Sequence, residues 1–248
     1  MSMNRRAGRR PGRGASSGLV WTPRAITGLK LWLRADLGVT IGTGVSAWAD
    51  QSGTGDANKN VTQATGSKQP TLNASDANYN NKPTLSFSSA ASQCLVSGLW
   101  ASPLSQPWTV VAVGQDDGTV SAQVYVESGS DLAGSNRVLV YQNATNYELN
   151  AGAALVANAR DATPHGLVGV VNGVSSRIYH SARTAVATGD AGARAPLGAT
   201  FIGETFAATA FLNGKIAEVI VWSGALSDAQ LAPVWNYIAS RYAITVGA

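Results

Sequence analysis

From Leu29 the chain alternates, with Leu31, Leu33 and Ala35 on one face and Lys30, Trp32 and Arg34 on the other, a period of two that predicts a strand. Residues 45–48 form a second short candidate. Residues 50–82 are dominated by Asn, Gln, Ser, Thr, Gly and Asp, and a loop that long in a compact domain is either functional or pinned locally. Apolar and β-branched runs then recur at residues 83–87, 93–96, 108–113, 122–127 and 137–142, the rhythm of a sandwich. Residues 167–171 and 174–179 flank Asn172-Gly173, a dipeptide suited to positive φ at both central positions, which predicts a two-residue hairpin turn. Asn213-Gly214 predicts a second tight turn ahead of residues 215–222, whose near-continuous apolar character fits a strand covered on both faces.

The end of the chain changes period. Leu231, Val234, Trp235, Ile238 and Tyr242 recur at helical spacing, and Ser227 with Gln230 has the form of a capping box. Pro233 lacks the N–H that a helix begun at Ser227 needs in its second turn, so the expectation is a turn at 228–231 and a helix over about 233–241.

Composition supports the β reading. Only 13% of the 248 residues are charged and 27 are Gly, which suits many short strands and turns better than long surface helices. One cysteine, Cys94, excludes an intramolecular disulfide or a multi-cysteine zinc site and is expected to be a small buried hydrophobe. The net charge of +4 is segregated: Arg5, Arg6, Arg9, Arg10 and Arg13 precede the first acidic residue, and the rest of the chain nets −1. Residues 1–20 therefore read as an Arg-rich arm and 21–248 as the folded domain. Guanidinium forks suit phosphates or carboxylates, so the arm is expected to touch nucleic acid or an acidic protein surface. With no apolar core to the leader and no run of eighteen apolar residues, neither a signal peptide nor a membrane span is expected.

Leu31-Trp32-Leu33-Arg34-Ala35-Asp36, then Trp48-Ala49-Asp50-Gln51-Ser52-Gly53, then Lys82-Pro83-Thr84-Leu85-Ser86-Phe87, and finally residues 211–222 with Leu226-Ser227-Asp228-Ala229-Gln230 together resemble the concanavalin A-like lectin/glucanase superfamily in its laminin-G-like bacterial and phage branch. The resemblance covers residues 21 to the C-terminus. It implies an all-β fold, a two-sheet antiparallel jelly-roll sandwich, here with a short C-terminal helix and an extended basic N-terminal arm. It also implies recognition of sugars or proteins, although the superfamily includes hydrolases.

Retaining hydrolysis needs two carboxyl groups about 5 Å apart. Glu218 stands alone among Ile216, Ile220 and Trp222, while Glu127 and Asp131 straddle Gly129 and read as a solvated strand end. No enzyme is expected. Gly14-Ala15-Ser16-Ser17-Gly18 matches a nucleophile-elbow pattern but lacks its preceding strand. His165 and His180 lack metal-ligand spacing and read as turn or edge positions. The superfamily's calcium sites, built from Asp and carbonyl oxygens, make Asp50, Asp56 and Asp116-Asp117 the candidate ligands; for Asp50 a role in fixing the long loop is the stronger reading. No other cofactor is expected.

Tyr79, Trp100, Tyr141 and Tyr147, as aromatics set among polar residues, are the candidate sugar-stacking faces, whereas Trp32, Trp48, Trp108, Trp222 and Trp235 lie in apolar patterns and belong to the core. These readings combine into an expected non-catalytic virion component of a phage or phage-like particle, such as a capsid decoration, head fibre or tail part. It would be made in the host cytoplasm, be oligomeric in the assembly, be anchored by its arm to other virion proteins or packaged nucleic acid, and display a lectin-like domain toward cell-surface glycans. A freestanding bacterial carbohydrate-binding lectin is the alternative, and a glycoside hydrolase the third.

Overall fold

The computed structural model describes residues 21–118, 122–129, 138–142, 145–194 and 197–248, without the side chains of residues 138, 139, 141, 142, 158 and 159. The five arm arginines lie outside the described residues. Two antiparallel sheets form, with strands numbered along the chain. The first runs β15 (Ala187–Gly189), β14 (Ser176–His180), β13 (His165–Val171), β8 (Trp108–Asp116), β17 (Gly214–Ser223), β6 (Lys82–Phe87) and β5 (Thr71–Asp76), with β1 (Leu29–Arg34) also paired to β17. The second runs β12 (Ala154–Ala159), β11 (Asn146–Asn150), β10 (Val138–Gln142), β9 (Gln123–Gly129), β16 (Ala199–Ile202), β7 (Leu95–Ser97), β4 (Val61–Thr62), β3 (Val45–Trp48) and β2 (Val39–Ile41).

The strand alternation sorts side chains into two cores. Leu31, Leu33, Trp48, Trp108, Val110, Leu167 and Val219 fill the space between the sheets. Trp32, Val111, Val168, Ile220 and Trp222 point the other way, against the helix α1 (Asp228–Tyr242). This third layer explains the unbroken apolar run of β17, which is covered on both faces. All five tryptophans expected in the core are buried.

The helix starts five residues earlier than expected. Ser227 caps it through a complete capping box with Gln230, and Pro233 sits inside it. An interior proline costs about 3 kcal/mol. Leu231, Val234, Trp235, Ile238 and Tyr242 are buried by the same helix, and at about 1.5–3 kcal/mol for each large side chain their burial outweighs it.

The hairpin expected around the first Asn-Gly forms, β13 pairing antiparallel with β14, but neither dipeptide makes the tight turn expected of it. At the first, Val170 pairs with Arg177, leaving a longer connection with a 3₁₀ turn over Gly173–Ser175, and Asn172 has φ −154°. Neighbours hold it: Ser176 Oγ accepts from the Asn172 N–H and donates to Gly173 O, and the Gly173 N–H donates to Gln106 Oε1. At the second, Gly214 is the first residue of β17, pressed so closely on β8 that a Cβ would lie 2.1 Å from the Gln115 carbonyl oxygen. Glycine serves there for close backbone approach rather than for a turn. β9 also runs through Gly129, and Glu127 is fully buried instead of solvated; Asp131 lies outside the described residues.

Candidate functional site

The polar stretch after β3 is pinned locally. Asp50 Oδ1 accepts from the backbone N–H groups of Trp32 and Ser52, at 2.9 and 2.8 Å, and its Oδ2 accepts from Ser52 Oγ. The Asp50 N–H donates in turn to Asn60 Oδ1. Asp50 thus clamps the base of the loop to β1, and Gly53, with φ +82°, lets the chain turn back. Further along, Asp56 Oδ1 accepts from the Asn58 N–H and its Oδ2 from the Ala101 N–H at 2.9 Å, tying this loop to the segment after β7. Lys59 is buried, donates to Thr54 Oγ1 at 2.9 Å and sits 4.7 Å over the Trp100 ring; burial lowers its pKa.

Between these two segments opens a cleft of about 650 Å³, lined by Lys30, Thr54, Asp56, Asn58, Lys59 and Ser102 on its polar side and by Pro103 and Leu104 on its apolar side. A hollow of about 340 Å³ adjoins it, sharing Gly55, Asp56 and Ala57 and reaching Asp50 and Asn60. Asn58 is exposed and lines the cleft on a wall already fixed by Asp56. A small number of fixed polar groups beside an apolar patch is the chemistry that orients a polyhydroxylated ligand.

The expected stacking faces are not surface faces. Tyr79 and Tyr147 are fully buried and Trp100 is 3% exposed, so none offers a ring to a sugar in this structure. Tyr79 packs edge-on to Tyr242 beneath the helix, Trp100 lies under Lys59, and Tyr147 is wedged among histidines. The asparagines beside Tyr79 are turn residues: Asn80 and Asn81 have positive φ and Asn78 donates to Asp76. The side chain of Tyr141 lies outside the described residues. Of the candidate calcium ligands, Asp50 and Asp56 bind the turns just described. Asp116 accepts from Tyr125, Tyr147, Arg160 and the Gly118 N–H, and Asp117 from Gln123 and Asn213.

A second cluster assembles across the β13–β14 hairpin. His165 and His180, expected at turns or edges, are buried strand residues of β13 and β14 that close one end of the inter-sheet core. Their rings stand edge to face with centroids 5.0 Å apart, and Tyr147 contacts both. Asp161 Oδ1 lies 3.7 Å from His165 Nδ1, and its Oδ2 lies 3.7 Å from His180 Nε2. His165 beside it holds the Asp161 carboxyl well below the usual range, while burial and the neighbouring His165 push His180 down to about 4. Asp161 and His165 also line a cleft of about 500 Å³, whose far side is formed by Asn78 and residues 243–245.

No family model and no curated protein matches the sequence. Solved structures do resemble this one. Trypanosoma rangeli sialidase in complex with 2,3-difluoro-KDN superposes with a TM-score of 0.59 at 13% identity, over 94% of this chain and 36% of that one. The same enzyme in complex with sialic acid gives 0.58 at 14% identity, over 87% of this chain and 33% of that one. Domain 4 of AbnA, a GH43 extracellular arabinanase from Geobacillus stearothermophilus, in complex with arabinotriose, gives 0.57 at 11% identity, over 84% of this chain and 98% of that one. The chain therefore spans about a third of the sialidase and nearly all of the arabinanase domain. These likenesses establish the fold, a two-sheet antiparallel β-sandwich.

Proposed function

We propose that this chain is a non-catalytic glycan-recognition module whose ligand occupies the cleft between residues 53–60 and 100–104. The preorganisation of that cleft carries the reading. Asp56 joins its two walls through backbone N–H groups, Lys59 is held by Thr54, and the exposed Asn58 lines it with Pro103 and Leu104. Polar groups fixed before binding spare the ligand the cost of ordering them. The fold likeness to a domain solved with arabinotriose over nearly its whole length supports the same reading. Glu218, the carboxylate of the β17 motif, is fully buried beneath α1, which supports a role other than hydrolysis.

In the finer reading the module belongs to a phage or phage-like particle, with Arg5, Arg6, Arg9, Arg10 and Arg13 tethering it to other virion proteins. The segregation of those charges from a near-neutral body supports a tether. A glycan array probed with the full chain tests the first claim: Asn58→Ala should weaken binding by at least about fivefold while melting as the wild type does. Deleting residues 1–18 tests the second, and should abolish co-purification with particles while leaving the array profile intact. If the arm contacts nucleic acid instead, DNA binding will fall steeply with salt and vanish with the deletion.

A further inference from the structure

We propose that Asp161, His165 and His180 form a binding site for a divalent transition-metal ion, zinc being the best fit, at the end of the sandwich remote from residues 53–60 in the chain. One ring nitrogen from each histidine and one carboxylate oxygen lie within 4.8 Å of one another, the one such group of three among the described residues. Two further observations point to a ligand. His165 Nε2 and His180 Nε2 are both buried and have no hydrogen-bond partner, although their residues are only 1% and 8% exposed. An orphaned buried polar atom is costly, and two such atoms in one cluster call for a partner.

The surroundings already set the ligand atoms. His165 Nδ1 lies 2.8 Å from the Thr163 carbonyl oxygen, which can only accept, so Nδ1 carries the proton and Nε2 of the neutral ring keeps its lone pair. This is the outer-shell arrangement that fixes a metal-binding imidazole. Asp161 is oriented by Thr163, whose N–H and Oγ1 donate to Oδ1 at 3.2 and 2.8 Å. Its Oδ2 remains on the histidine side, 3.7 Å from His180 Nε2. Bonds of about 2.0–2.1 Å in tetrahedral geometry place ligand atoms about 3.4 Å apart, so atoms spread over as much as 4.8 Å must close by up to about 1.4 Å. Asp161, half exposed on the cleft, has the freedom to supply that movement. Imidazole donors select zinc or its transition-metal neighbours over calcium, which takes oxygen ligands. Asp161 and His165 line a cleft of about 500 Å³, from which water or an exogenous donor can reach a fourth position on the ion.

The test uses the full chain, freed of any affinity tag and stripped with chelator, then titrated with zinc chloride by calorimetry and with cobalt(II) by visible absorption. One zinc ion per chain is expected, together with a rise in melting temperature and cobalt bands of tetrahedral intensity. Asp161→Asn and His180→Gln should each weaken zinc binding by at least about tenfold, a loss typical even of outer-shell changes. Asp161 is exposed enough for its variant to fold, so loss of binding there cannot be assigned to unfolding. Absence of binding at 1 mM zinc, or affinity unchanged in both variants, would overturn the proposal.

Discussion

Replacing Glu218 with alanine is expected to be among the most damaging single changes in the domain. Its carboxylate accepts from Trp32 Nε1, from Tyr242 Oη at 2.6 Å and from Tyr237 Oη at 2.9 Å, which binds β1 and α1 to β17 through one side chain. All three donors are buried. Leaving a buried donor unpaired costs about 1–3 kcal/mol. Relief of the desolvated charge offsets part of that, so Glu218→Ala should lose about 3–5 kcal/mol, and Glu218→Gln, which keeps one acceptor, about 1–2 kcal/mol. Urea unfolding followed by tryptophan fluorescence measures both. The pH dependence gives an independent check. Burial raises the Glu218 pKa above its ordinary 4.5, so the folded state holds this proton longer than the unfolded chain. Its contribution is complete below pH 4.5 and is lost as pH rises through the folded value; the stability of wild type relative to Glu218→Gln should therefore fall as pH rises above 4.5. An alanine variant within 1 kcal/mol of wild type, or a relative stability that climbs with pH, would refute the reasoning.

Asp50→Ala removes the acceptor for two backbone N–H groups and two hydroxyls, and with partial replacement by water should cost about 2 kcal/mol, or about 4–8 °C in Tm for a chain of this size. Limited proteolysis should then cut selectively within residues 51–60, and an unchanged digestion pattern would show that Asp50 does not hold the loop. Cys94 is buried, and its thiol is pushed up to about 12 by burial, with Glu204 beside it. At pH 8 the folded protein should react with a disulfide reagent about a thousandfold more slowly than the urea-unfolded chain, and equal rates would contradict its placement.

The elements legible in the sequence were those whose periodicity had a single physical cause. β1 alternates because its two faces meet different cores, β17 is uniformly apolar because both of its faces are covered, and α1 shows its stripe because it packs one face on a sheet. Local turn chemistry was a weaker guide. Asn213-Gly214 has a turn composition, yet the close approach of Gln115 decides its conformation. The polar neighbours of Tyr79 suggested a wet surface, but they belong to a turn that buries the ring. The loop cleft was illegible because its walls, joined by Asp56, lie some 45 residues apart. The histidine pair could have been found. A two-residue turn at 172–173 sets His165 directly opposite His180, and the observed register, with Leu167 across from His180, keeps them diagonal on one face. The pairing that brings them together runs across the hairpin and not along the chain.

The central claim is that the cleft fixed by Asp56 binds a glycan. The direct measurement is a glycan array with the full-length protein, repeated with Asn58→Ala and followed by calorimetry on the best ligand. Saturable binding of a defined oligosaccharide, weakened by at least about fivefold in the variant for the loss of one hydrogen bond, is the predicted result. An array without a saturable ligand, or one whose ligand binds the Asn58→Ala protein as well as the wild type, would contradict the account.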